Sequence, residues 1–228
     1  MICFKEIVKS YFYKHPKLYR FLWHQSGKFV VRGVNNHVSN NAFSLKDCTF
    51  SVKGDDNIID IKEGVRLNNV KVDISGNGHR LIFHKDVRIR EGGRIRVEDN
   101  SNRLEIGENS SLVNVYFNLQ DHNTFIMIGK DCLLSSKITF RTSDSHSIID
   151  RKTGNRINPG KSIWVGDHVW IGNGVTVLKG VSIGKGCIIG TCSLVTKDIP
   201  DNCLAVGVPA KVVKEDIDWD KVRIHNNT

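Results

Sequence analysis

Residues 163–195 read IWVGDHVWIGNGVTVLKGVSIGKGCIIGTCSLV, and they fall into sixes. Val165, Ile171, Val177, Ile183, Ile189 and Val195 stand six apart without a break, and Ile163, Val169, Val175, Val181, Cys187 and Ser193 stand two places before them. A six-residue unit is too short for a helix or a hairpin but fits a short strand and a sharp bend. Three units make one triangular coil. Coils stack by parallel strand pairing, with the recurring aliphatics pointing into the prism. Gly166, Gly172, Gly184 and Gly190 each follow an anchor. The expectation is that glycine eases the bend, because it tolerates unusual backbone angles.

Upstream the same rhythm is looser. NIIDI at 57–61, RLIFH at 80–84, RLEIG at 103–107 and TFIMIG at 124–129 carry the anchors Ile61, Phe83, Ile106 and Ile128, spaced 22, 23 and 22 residues apart. Sixes lie inside this period, as Phe83, Ile89, Ile95 and as Ile128, Leu134, Phe140. These are coils of the same solenoid with longer corners, and the turn-rich tracts at 75–79, 98–102 and 119–123 mark the corners. Two segments break the pattern. Residues 142–161 interrupt the sixes and read as a projecting loop. Residues 2–23 have mostly helical apolar spacing, broken at Pro16, and are expected to cap the first coil. The expected organisation is therefore a helical cap over 1–30, a β-helix over 31–214 and a tail over 215–228.

The composition is that of an ordinary globular chain: 39% hydrophobic and 25% charged residues over 228 positions. No apolar run reaches the ~18 residues of a membrane span. Lys5, Glu6, Lys9, Lys14 and Lys17 interrupt the first apolar stretch, which argues against a secretory signal. The expected compartment is the cytoplasm. The first segment is also basic and aromatic, so peripheral contact with the inner face of the membrane is its second reading. The net charge of +9 is spread along the chain. With no helix-turn-helix, zinc-finger or basic heptad signal, nucleic acid is not the expected partner. Six cysteines occur without a C-x-x-C pair and are read as reduced thiols, mostly buried.

The run 163–200, ending V-T-K-D-I-P, and the G-x-P-A-K of VGVPAKVVK at 206–214 resemble the C-terminal half of the hexapeptide-repeat acyltransferases. With TSDSHSIID at 142–150 and the 22-residue coils, the chain looks most like the bacterial O-acetyltransferases that modify surface polysaccharides. The resemblance covers roughly residues 55–215. It implies a left-handed parallel β-helix, a homotrimer with active sites between neighbouring prisms, acetyl-CoA as co-substrate with no metal, and a sugar or polysaccharide hydroxyl as acceptor. The left hand comes from the resemblance alone, since ordinary parallel crossovers are right-handed.

The resemblance also carries site residues. His146 corresponds to the general base and Trp170 to the aromatic lining the thioester end. Asn173, Thr191, Thr196, Lys197, Lys211 and Lys214 match coenzyme-contacting positions, although Thr191 replaces the small alanine common there. The chemistry is coherent. A neutral imidazole takes the proton of a poorly nucleophilic hydroxyl, and lysines suit the phosphates of coenzyme A. The second imidazole nitrogen needs a partner, for which Asp144 ranks ahead of Asp150. Arg141, Arg156 and Asn158 are the candidates for acceptor contact.

Other readings compete. Transfer to an amine of an amino or nucleotide sugar would use the same base and coenzyme site. A non-catalytic trimeric scaffold would need neither. A covalent route through cysteine is weak, because Cys187 occupies an inward repeat position and Cys192 and Cys203 have no evident histidine partner. His79 and His84 form an H-x-x-x-x-H pair without a matching third histidine, which disfavours a zinc site.

Overall fold

The protein is described here over residues 27–223 of a computed structural model. It is an all-β parallel solenoid of about eight turns. The expected helical cap lies, through residue 26, outside the described residues; the first described strand is Lys28–Arg32.

Each turn lays a strand on three faces. On the first face the strands run His37–Asn40, Ile58–Ile61, Arg80–Phe83, Arg103–Ile106, Phe125–Ile128, Ile163–Val165 and Ser182–Ile183, all in parallel register. The anchors Ile61, Phe83, Ile106 and Ile128 pair directly with one another, so the 22-residue period is one coil. The second face carries the column Leu45, Leu67, Ile89, Leu112, Leu134, Ile171, Ile189 and Ala205. The third carries Phe29, Phe50, Val72, Ile95, Phe117, Phe140, Val177 and Val195. The strands Arg88–Val97 and Ser111–Leu119 run on round the corner between the second and third faces, joining them into one 15-stranded sheet beside a 7-stranded one.

These columns are the core. Apart from Phe29, every residue of the third column is at most 1% exposed, and Phe117 stacks on Phe140 with ring centroids 5.2 Å apart. Burying each large apolar side chain contributes roughly 1.5–3 kcal/mol. Between the first and second faces, each coil turns through a residue with left-handed backbone: Asp86, Asn109, Asp131, His168, Gly186 and Asn202 occupy the same corner in successive coils. Asn, Asp and Gly tolerate that conformation best.

The glycines after the anchors have a different reason from the one expected. A Cβ on Gly166 would lie 2.7 Å from the Lys185 amide nitrogen, and one on Gly172 would lie 2.7 Å from that of Thr191. Neither glycine has positive φ. Close approach of one coil to the next excludes a side chain there; unusual backbone angles are not involved.

The G-x-P-A-K element closes the solenoid. Leu204–Gly207 and Ala210–Lys214 form its antiparallel hairpin. Beyond it Trp219 folds back, 8% exposed, onto His168: the rings stack 4.2 Å apart, and the indole Nε1 donates to the His168 carbonyl at 2.8 Å.

Candidate active site

The loop 142–161 leaves the solenoid after Ile138–Arg141 on the third face and rejoins it at Ile163–Val165 on the first. It stands at the corner between those faces and folds back on itself through an antiparallel bridge between Ile149 and Arg156. His146 is exposed on it, and its ring has no hydrogen-bond partner among the described residues.

The position of His146 is set through its backbone. Asn158, 8% exposed, donates from Nδ2 to the His146 carbonyl at 2.8 Å and to Asp144 Oδ2 at 2.8 Å. Its Oδ1 accepts from the Ile148 amide at 2.7 Å, so one side chain ties three points of the loop. Asp144 Oδ2 also accepts from Lys179 Nζ at 2.5 Å, and Lys179 donates to the Asn158 carbonyl at 2.9 Å. The Lys179 ammonium and the Asn158 amide hold the Asp144 carboxyl below the usual carboxylate range. At the loop's root Arg156 grips both carboxylate oxygens of Asp121 at 3.0 and 2.8 Å, which lowers the Asp121 pKa.

No hydrogen bond joins Asp144 to the His146 ring; its carboxylate pairs with Lys179. Asp150 is likewise engaged, accepting from the Lys152 and Thr153 amides within a turn. Asn158 bonds within the loop, Arg156 bridges from the loop to Asp121 on the solenoid, and Arg141 donates to the loop's Ser145 Oγ at 3.1 Å. Lys179 and Asp121 went unnoticed in the sequence, because each lies 35 residues from its partner. No spacing rule links such positions.

Trp170 stands on the second face, 40% exposed, with the Trp219 ring 6.0 Å away. The second face is opposite the corner that carries His146, so the two lie on different sides of one prism. Asn173 and Thr191 share the next corner on consecutive coils: the Cys192 amide donates to the Asn173 carbonyl at 2.7 Å. Thr196 and Lys197 are exposed at another corner, and Lys211 and Lys214 are exposed on the closing hairpin. Two clefts, of about 550 and 340 Å³, border Trp164, and neither is lined by His146 or Trp170.

The remaining candidates have structural partners. His79 is buried, while His84 lies 4.0 Å from Glu105. Cys187 is fully buried, with its thiol 2.8 Å from the Pro200 carbonyl, and burial pushes its pKa up. Among the described residues no group of three metal-ligating side chains occurs.

A family model of bacterial transferase hexapeptides (six repeats) matches residues 162–197. The crystal structure of OatWY, a polysialic acid O-acetyltransferase, is 30% identical; the match covers 89% of this chain and 93% of that one, with a TM-score of 0.72. The chain belongs to the hexapeptide-repeat transferases. Another member of known structure, the polySia-specific acetyltransferase NeuO, is 29% identical over 88% of this chain and 91% of that one, with a TM-score of 0.78. The polysialic acid O-acetyltransferase of Escherichia coli O1:K1 / APEC is 34% identical over 136 residues, 58% of this chain. The match spans only 44% of that relative's length.

Proposed function

We propose that the protein is an acetyl-CoA-dependent O-acetyltransferase acting on a hydroxyl of a bacterial surface polysaccharide or its precursor. The reading rests on one observation: near-full-length likeness, at 29 and 30% identity, to two solved polysialic acid acetyltransferases. Acidic sialic acid polymers are therefore the acceptor class to try first.

In this reading the solenoid is left-handed and assembles as a homotrimer. The placement of His146 and Trp170 on opposite sides of one prism supports a site completed by a second copy. Neutral His146 takes the proton of the acceptor hydroxyl as its oxygen bonds to the thioester carbonyl carbon. Backbone N–H groups at a coil corner stabilise the oxyanion. The carbon–sulfur bond then breaks, and the coenzyme A thiolate takes the proton back from the imidazolium. Trp170 lines the thioester, Asn173 and Thr191 contact the coenzyme through their corner, and Thr196, Lys197, Lys211 and Lys214 meet its polar groups and phosphates. Asp144 acts with Asn158 and Lys179 by fixing the loop that carries His146. Arg141 faces the acceptor. The reaction belongs in the cytoplasm or at the inner face of the membrane, where acetyl-CoA is available.

The test is thiol release from acetyl-CoA in the presence of polysialic acid, neutral polysaccharides and amino sugars. Polysialic acid is expected to stimulate release. His146→Ala should lower kcat about 10²- to 10⁴-fold, and Asn158→Ala should lower it less while the protein stays folded. Full activity in His146→Ala, or acetylation of amines alone, sinks the proposal.

A further inference from the structure

The strand Arg88–Val97 reads RIREGGRIRV, and its burial alternates. Ile89, Ile95 and Val97 point into the core, while Arg88, Arg90 and Arg94 are exposed and Arg96 is half-buried. The strand turns the corner at Glu91, Gly92 and Gly93, so Arg88 and Arg90 stand on the second face and Arg94 and Arg96 on the third, with the exposed Glu91 between the two pairs. Side chains two apart on a strand sit about 6.5–7 Å from each other, and neighbouring coils lie about 4.8 Å apart.

The adjoining coil adds to both pairs. Arg66 pairs in register with Arg88, and Lys71 with Arg94. Like charges directly opposite one another on a sheet are destabilising, so carboxylates would be expected to intervene. Asp73 reaches Arg94 at 3.5 Å, and Glu98 takes Arg96. Arg66 lies over the Phe43 ring. Arg88, Arg90 and Lys71 have no ion pair among the described residues.

The third-face pair is joined to the loop of His146. Arg96 Nε donates to Glu98 Oε1 at 2.8 Å, Gln120 Nε2 donates to Glu98 Oε2 at 2.5 Å, and Ser145 Oγ donates to Gln120 Oε1 at 2.6 Å. Ser145 is the residue before His146. The seam climbs from the coil of Arg96, across the next coil, to the loop, a rise of roughly 10 Å at one rung per 4.8 Å.

We propose that Arg88, Arg90 and Arg94, with Arg66 and Lys71, form a track that holds an anionic polysaccharide several sugar units away from the hydroxyl being acetylated. The track supplies affinity for long chains and leaves the reacting unit to the loop. Carboxylates recurring along a polymer match cations recurring along a strand and across coils. An anionic membrane surface is disfavoured, because among the described residues no exposed large apolar side chain stands beside these arginines to enter a bilayer. The proposal rests on the acetyltransferase reading for the choice of polymer alone.

The experiment measures binding without turnover. The full chain and an Arg88→Ser/Arg90→Ser variant are titrated with long-chain polysialic acid, sialic acid trimer, neutral dextran and phosphatidylglycerol vesicles. The variant should bind the long polymer about three- to tenfold more weakly, with a smaller salt dependence, while trimer binding is unchanged. Arg88→Lys/Arg90→Lys should retain most of the affinity, which separates charge from folding. Equal affinity of wild type and the serine variant for long chains overturns the proposal. So does an equal loss with the trimer, binding of vesicles in place of polymer, or no polymer binding by the wild type. Failure of acetyl transfer to every acceptor would remove the enzymatic reading and leave this binding result standing.

Discussion

His79 is 1% exposed, and its two ring nitrogens have opposite roles. Nδ1 accepts from the Asn102 amide at 3.1 Å, and Nε2 faces the Ser75 carbonyl at 3.3 Å. Only the neutral ring protonated at Nε2 satisfies both. The ring belongs to a buried polar column with Asn57 below it and Asn102, Thr124 and Thr142 above. Burial pushes the His79 pKa below its ordinary 6.5, although Asp99 opposes the shift. The unfolded chain therefore takes up a proton near pH 6.5 before the folded one does. Stability contributed above that pH should fall as the pH drops below it, levelling off under the folded-state pKa. Melting temperatures from pH 7.5 to 5 should show a shallower fall in His79→Gln than in wild type; parallel curves would contradict this account. The sequence marked His79 only as half of an unconvincing metal pair. Its real partners come from the coils before and after.

At the scale of the element, the unit of stability is one inward residue stacked on its counterpart a coil away. Phe117 lies between Ile95 and Phe140 in register and is fully buried. Phe117→Ala should cost about 3–5 kcal/mol, because the neighbouring coils are fixed by backbone pairing and cannot collapse into the cavity. Urea denaturation checks it, and a loss below about 1 kcal/mol would mean that the column is not closely packed. This level was the most legible in the sequence. Val165 to Val195 keep strict sixes because their corners are short. The earlier coils keep the six-residue step from the first face to the second but repeat as a whole only every 22 or 23 residues. The extra residues lie at the corner between the third and first faces, where Val72 to Phe83, Ile95 to Ile106 and Phe117 to Ile128 each span eleven positions against six from Val177 to Ile183.

For the whole molecule, each coil touches its two neighbours, so stability is close to a sum of nearest-neighbour terms. The middle coils have neighbours on both sides. Among the described residues the strand Lys28–Arg32 has a single paired neighbour, Thr49–Lys53, and Val30 and Val31 are exposed at 38 and 39%. Amide hydrogen exchange should be slowest in Arg103–Ile106 and Ser111–Leu119 and faster in Lys28–Arg32. The reverse order would show that the first strand is covered by a further part of the chain.

A repeat is visible in one dimension because each coil packs against a copy of itself. Inward positions, corner residues and the break at 142–161 all recur, or fail to recur, at fixed intervals that the sequence alone displays. The pairing of Asp144 with Lys179, of Arg156 with Asp121 and of His168 with Trp219 follows no interval. Those partners meet where a loop or the chain end folds across coils, and only the tertiary path sets which side chains arrive at the same corner. The sequence could therefore nominate His146. The fold decided that Asn158 and the Lys179–Asp144 pair would hold it, and that Trp170 would stand on the far side of the same prism.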